Sequence, residues 1–161
     1  MKYILKGVIG AAVLACALPI GGVSVAVAQE RSWNDEQTEV WGVVAQSWVD
    51  DSAENGKWPA EYLHEDAIGF SAEWPNPRGA DSIIKWSRFG YQANQTLQYE
   101  LFPMAISIAG DTAVVHYSTV IVSKEGDKAP ERNVGYINET LVKADGEWKF
   151  LSLSGWNAGS D

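Results

Sequence analysis

The sequence predicts an α+β domain, with three N-terminal helices packed on a strongly curved, mainly antiparallel sheet. Three observations carry that prediction. Before residue 94 apolar residues recur at three- and four-residue spacing; after it they alternate. The alternating half is cut by Gly110-Asp111 and by Asp145-Gly146, the latter a strong two-residue hairpin signal. Helices therefore come first and long strands afterwards, which is the order of α+β rather than of interleaved α/β units.

The first helix is expected over about Asn34 to Ala53. Asn34 can cap it, Gln37 stands at the reciprocal third position, and Asp35 and Glu36 lie where the helix dipole favours anions. Val40, Trp41, Val44, Trp48 and Val49 form its apolar face. Gly56 stops it, and "WPAEYLHED" reads as a short second helix with Pro59 in its first turn. "AIGFS" is a brief strand. A third helix runs from Gly79 to Phe89, with Ile83, Ile84, Trp86 and Phe89 as apolar positions. Four long strands follow: "TLQYELFPMAISIAG", "DTAVVHYSTVIVS", "RNVGYINETLVKA" and "EWKFLSLSGW". Pro103 in the first of these points to an edge position or a bulge.

The N-terminus reads as a secretory leader. Lys2 and Lys6 precede the apolar run "GVIGAAVLACALPIGG", and Ala26-Val27-Ala28 is an A-x-A cleavage site. Residues 1–28 are thus expected to be a signal peptide and 29–161 a single domain, placed in the periplasm or secreted. A membrane span is the rival, but the run falls short of the roughly 20 apolar residues a span needs. Lipidation at Cys16 is another; Leu14 is bulky where such sites prefer small residues.

Removing the leader leaves 133 of 161 residues and takes away Cys16, the one cysteine, together with Lys2 and Lys6. No disulfide, thiolate nucleophile or cysteine metal ligand is then expected. Lys plus Arg falls from 12 to 10 against 21 Asp plus Glu, a net charge of −11, which argues against nucleic acid and anionic lipid as partners. With two histidines and no His-x-x-x-His spacing, no metal site is expected. No glycine-rich phosphate loop follows a strand, so no nucleotide cofactor is expected either.

Several stretches together resemble the nuclear transport factor 2-like superfamily, and within it the SnoaL-like branch. These are "YLHEDAIGFS" ahead of a proline-rich loop, "RGADSIIKW" opening the third helix, "IAGDTAVVHYS" in mid-sheet and "NETLVKADGEWKFLSLSGW" at the end. The resemblance covers nearly all of residues 34–157. It implies a cone-shaped half-barrel whose helices close one side of an apolar pocket, often in a homodimer packed through the sheet. It does not decide function, because members include isomerases, dehydratases, hydrolases, cyclases, lyases and proteins that only bind.

Strand alternation groups Trp148, Phe150, Ser152, Ser154 and Trp156 on one face, and Tyr136, Asn138, Thr140 and Val142 on one face. The resemblance implies that Tyr136, Asn138, Ser152 and Ser154 carry polar groups of the cavity, although the two serines could simply make room for Trp41 or Trp48. A His-Asp dyad known in the family falls here on Lys57 and Tyr99, so it is absent. Glu100 is the nearest carboxylate on a long strand, or else a solvated edge residue. His64 belongs to a turn. His116 faces away if Ala113, Val115 and Tyr117 face the helices, and enters the cavity in the opposite register. Eight tryptophans are many for this length and suit a flat organic ligand. Trp74, on a loop beside Glu73, Pro75 and Pro77, is expected at the pocket rim.

Three functions follow from these residues. The first is binding of a small apolar or aromatic organic molecule by Trp41, Trp48, Trp74, Tyr136, Asn138, Ser152, Ser154 and Trp156. The second is a cofactor-independent isomerase, dehydratase or hydrolase in which Tyr136, Asn138, His116 or Glu100 polarises a carbonyl or moves a proton. The third is a structural homodimer without a ligand. A titrating group inside a cavity would favour the enzyme.

Overall fold

The computed structural model describes residues 32–71 and 76–160. The expected leader, Cys16, Glu73 and Trp74 lie outside the described residues. Helix α1 spans Asp35–Ser52. Its start is the expected reciprocal cap: Asn34 Oδ1 accepts from the Gln37 backbone N–H at 2.8 Å, and Gln37 Oε1 accepts from the Asn34 N–H at 3.1 Å. Val40 and Val44 are wholly buried beneath it, while Trp41 and Trp48 are half-buried flanks.

The expected second helix does not form. Residues 58–62 make a single turn, closed by the Glu61 N–H to Lys57 carbonyl bond of 2.8 Å and by Tyr62 and Leu63 N–H groups that share the Pro59 carbonyl. The chain then enters β1, Leu63–Ser71. One turn suffices to seat Trp58 and Tyr62 against Phe150, and extending so short a helix would forfeit the pairing of Leu63 with Phe150. The helical layer thus has two helices, and the second, α2, spans Ala80–Ala93 directly after the two-residue strand β2, Arg78–Gly79. It is only partly buried: Ile83 is in the core, whereas Trp86 and Phe89 are 48% and 59% exposed, contrary to their expected apolar-face role. No described helix is long and apolar enough to cross a membrane.

Strands β3 (Asn94–Ala109), β4 (Thr112–Glu125), β5 (Glu131–Ala144) and β6 (Glu147–Ser160) are the four expected long strands. They join β1 and β2 in one six-stranded sheet of order β2-β1-β6-β5-β4-β3. Only β1 and β6 pair in parallel. The β5–β6 turn has Asp145 at φ 52° and Gly146 at φ 85°, the two left-handed positions a tight hairpin demands. Pro103 lies on edge strand β3 beside a register shift between Pro103 and Ala105, so both of its expected roles hold.

Another register shift decides what faces the helices. Phe150 pairs with Leu141, but Ser152 pairs with Thr140, so Leu151 is an extra residue on β6. A bulge of one residue reverses the alternation. Before it Trp148 and Phe150 point inward, and after it Leu153 does. The inner face of β4 carries Ala113, Val115, Tyr117 and Thr119, all buried, opposite Leu141, Glu139, Ile137 and Gly135 on β5. These residues, with Val40, Val44, Ile106, Trp148 and Phe150, are the heart of the core.

Candidate functional site

The strand register turns one ionisable side chain of β5 into the core. Glu139 stands between Ile137 and Leu141 on the inner face, with Val115 on β4 and Leu153 on β6 opposite it. It is 5% exposed. It lines a hollow of about 220 Å³ together with Ser47, Trp48 and Asp51 of α1 and Trp58 of the following turn.

The hollow is built by three polar networks. In the first, the Tyr117 hydroxyl accepts from Trp48 Nε1 at 2.9 Å and favours the charged form of the neighbouring Glu139 carboxyl. Glu139 Oε2 has no partner. In the second, Asp50 accepts from the Tyr62 hydroxyl and from Asn55 Nδ2 at 2.7 Å, which ties the turn carrying Trp58 to the end of α1. In the third, Asp51 Oδ1 accepts from the Tyr91 hydroxyl at 2.6 Å and so links α1 to α2. Ser47 Oγ is spent on its own helix, donating to the Val44 carbonyl at 2.8 Å.

These networks separate the carboxyl groups. Desolvation raises Glu139 from 4.5 to about 8, an effect the Tyr117 hydroxyl only partly opposes, so its neutral form prevails at pH 7. Burial also raises Asp51, while Tyr91 pulls it back. Asp50 moves the other way, held low chiefly by the Tyr62 hydrogen bond and then by Asn55. Two carboxyls with raised affinity for protons thus border one hollow between two indoles, and one of them is protonated at neutral pH.

Of the described residues expected in a pocket as ligand contacts, only Trp48 lines this hollow. Trp41 packs edge-on against Trp33 and Tyr117, at 5.8 and 5.6 Å, and serves the core. Trp74 lies outside the described residues. Tyr136, Asn138, Ser152, Ser154 and Trp156 are all on the outer face of the sheet, so their expected cavity role is corrected. The reasons are the Leu151 bulge on β6 and the inward turn of Glu139, which sends its neighbours on β5 outward. Tyr136 pairs with Trp156, their rings 5.9 Å apart, and Ser154 Oγ donates to the Asn138 carbonyl at 3.0 Å. His116, paired with Asn138, faces outward as it must when Ala113, Val115 and Tyr117 face the helices. Glu100 is exposed on edge strand β3, as the solvated alternative requires.

Glu139, Asp51 and Ser47 were not among the expected site residues. The signal for Glu139 is its place in the alternating series Gly135, Ile137, Glu139, Leu141, where an acid interrupts an otherwise apolar face.

The class is that of a helix-covered, curved α+β sheet with an internal acid. The sequence model of the SnoaL-like domain matches residues 42–154, and the chain belongs to that family. Solved structures agree on the fold. A ketosteroid isomerase-like protein from Erwinia carotovora atroseptica superposes with a TM-score of 0.70 at 11% identity, covering 79% of this chain and 99% of that one. ActVI-ORFA from Streptomyces coelicolor gives 0.64 at 17% identity over 78% and 98%. An NTF2-like protein from Cytophaga hutchinsonii gives 0.63 at 14% identity over 78% and 99%. Identities this low establish shared architecture only. A comparison with the curated proteins found no match.

Proposed function

We propose that this chain is a cofactor-independent acid–base enzyme acting on a small carbonyl compound, with Glu139 as the acid and Asp51 as the base. The observation that carries the reading is a buried carboxyl with one oxygen unpartnered, on a residue that lines a hollow together with a second carboxyl; its burial favours the neutral form. Glu139 donates to the carbonyl oxygen while Asp51 removes a proton from the adjacent carbon, giving an enol. The enol proton then returns to Glu139 as Asp51 delivers its own proton to a different carbon, so both groups are reset. Loss of a hydroxyl as water from the same enol would be the dehydratase version. About 220 Å³ is below the ~300–1,000 Å³ of ordinary ligand pockets, so the reacting part is small.

The test is deuterium uptake from D2O into a panel of small aromatic and alicyclic ketones, followed by NMR across pH. Uptake is expected to rise as Asp51 ionises and to fall near pH 8 as Glu139 does. A profile with no alkaline limb, or one unchanged in Glu139→Gln, defeats the assignment. Binding without turnover is the second reading, favoured by the two indoles at the hollow.

The finer biology is also proposed. Ile68 and Phe70 on β1, Trp156 on β6, Tyr136 on β5 and Phe102 on β3 are exposed on the outer sheet face, Phe70 at 53% and Trp156 at 56%. Exposed apolar side chains spread across one sheet face suit a second copy packed face to face. Sedimentation should show a dimer that Trp156→Lys converts to monomer; an unaltered sedimentation coefficient would count against it. Export rests on Lys2, Lys6 and the Ala26-Val27-Ala28 site. Fractionation with N-terminal sequencing should find Gln29 as the first residue in the envelope or medium, and a chain that keeps Met1 in the cytoplasm would refute it.

A further inference from the structure

Trp58 is common to the linings of two spaces, the hollow at Glu139 being the first. That indole also borders a wider groove of about 550 Å³, lined by Gly69, Arg78, Ile83, Trp86 and Leu153 among others. The strand register relates the two spaces. Arg78 on β2 is opposite Gly69 on β1, Gly69 is opposite Leu153 on β6, and Leu153 is opposite Glu139 on β5. Directly opposed residues point to the same face of a sheet. Arg78 and Glu139 therefore stand at the two ends of one inner-face rung, three strand spacings or about 14 Å apart at Cα.

Between these ends the floor is apolar and low. Gly69 has no side chain and Leu153 has no polar group, while α2 supplies Ile83 and Trp86 from the other side. The Arg78 guanidinium lies over the Trp86 ring, 5.0 Å from its centroid. A guanidinium held over an indole still carries five N–H donors in one plane. Arg78 has further contacts within the protein, but five donors allow it to serve a ligand as well.

We propose that groove and hollow are one bipartite site for a small organic acid: its carboxylate pairs with Arg78, its apolar body lies over Gly69 and Leu153, and its carbonyl reaches Glu139. The last clause rests on the acid–base reading above; the carboxylate contact does not. A carboxylate matches the planar, bidentate donor fork of a single guanidinium. A net charge of −9 for the whole chain opposes an approaching anion. That repulsion is screened beyond about 10 Å at 0.1 M salt, so inside the groove the local pairing decides.

The probe is 5-oxo-5-phenylpentanoate, which carries a ring, a ketone and a carboxylate, compared with its methyl ester by calorimetry at pH 7. The acid is expected to bind at least about tenfold more tightly than the ester, the gain of one charge-assisted pair. Arg78→Gln should erase the difference, and Arg78→Lys should retain part of it while showing that the site is still folded. Equal affinities in the wild type, a preference that survives Arg78→Gln, or no binding of either compound at millimolar concentration overturns the proposal. Glu139→Gln should leave the preference for the acid intact. If the preference is present and depends on Arg78 but deuterium uptake shows no alkaline limb, the acid–base reading alone fails. If the limb is present without the preference, the bipartite site alone fails.

Discussion

Glu139→Gln is expected to remove most of the pH dependence of stability between pH 5 and 9 and to abolish turnover. The sign follows from where the proton sits. With a folded value of about 8 against 4.5 for the free side chain, the native state keeps a proton that the unfolded chain loses. Stability is therefore fully present below about pH 4.5, declines as pH rises, and reaches its floor once pH passes about 8. The full shift corresponds to on the order of 5 kcal/mol, an upper bound because water entry and relaxation soften it. Glutamine carries no charge at any pH and can still accept from Tyr117, but it brings a buried amide N–H pair that costs about 1–3 kcal/mol if unpaired. The two stability curves should therefore cross, with wild type ahead at pH 5 and the variant ahead at pH 9. Asp51, also raised, leaves the variant a shallow residual slope in the same direction. Asp50 and Glu147 are lowered, so their contributions vanish only in stronger acid, outside this window. Urea unfolding at three pH values checks the result, and parallel curves would mean that Glu139 is not a neutral buried acid.

The fold was legible because its signals are local. Asn34 and Gln37 cap each other as their spacing requires, Asp145-Gly146 makes the tight hairpin, and the four long strands run where alternation places them. The candidate site was not legible to the same degree, because its location depends on parity. One extra residue, Leu151, reverses the side chains of β6 from Ser152 to Asn157, and no local propensity marks it. The face of β5 that counts was set by the register with β4: once Val115 is buried, its partner Glu139 is buried too. The resemblance places Tyr136 and Asn138 in the cavity, but the inner face of β5 is the apolar one with one anomalous acid. The turn at 58–62 is a different case. Its apolar spacing is helical, but the bonds that hold it reach Asp50, Phe150 and Lys149 across the structure, where no local rule can see them.

Phe150 and Trp156 test the same parity in energetic terms. Strict alternation makes them equivalent, two aromatics on one face of one strand; the bulge between them predicts opposite behaviour. Phe150 is completely buried, 5.4 Å edge-on from Trp58 and 6.5 Å from Tyr62, and its backbone N–H donates to the Tyr62 carbonyl at 2.9 Å. Phe150→Ala removes the ring from beneath the turn and leaves a cavity the backbone cannot close, costing about 3–5 kcal/mol. That is a large share of the roughly 5–15 kcal/mol that stabilises a domain, and at this chain length it should lower Tm by roughly 10–20 °C. It should also loosen Trp58, which borders both hollow and groove, and so weaken any ligand held there. Trp156→Ala deletes a larger side chain, but one already exposed and touching chiefly Tyr136, so at a concentration where the protein is monomeric its cost should stay below about 1 kcal/mol. Its effect should appear instead in self-association. Comparable losses of Tm from the two substitutions would mean that both rings lie in one core, and the inner-face assignment of Glu139 would go with them.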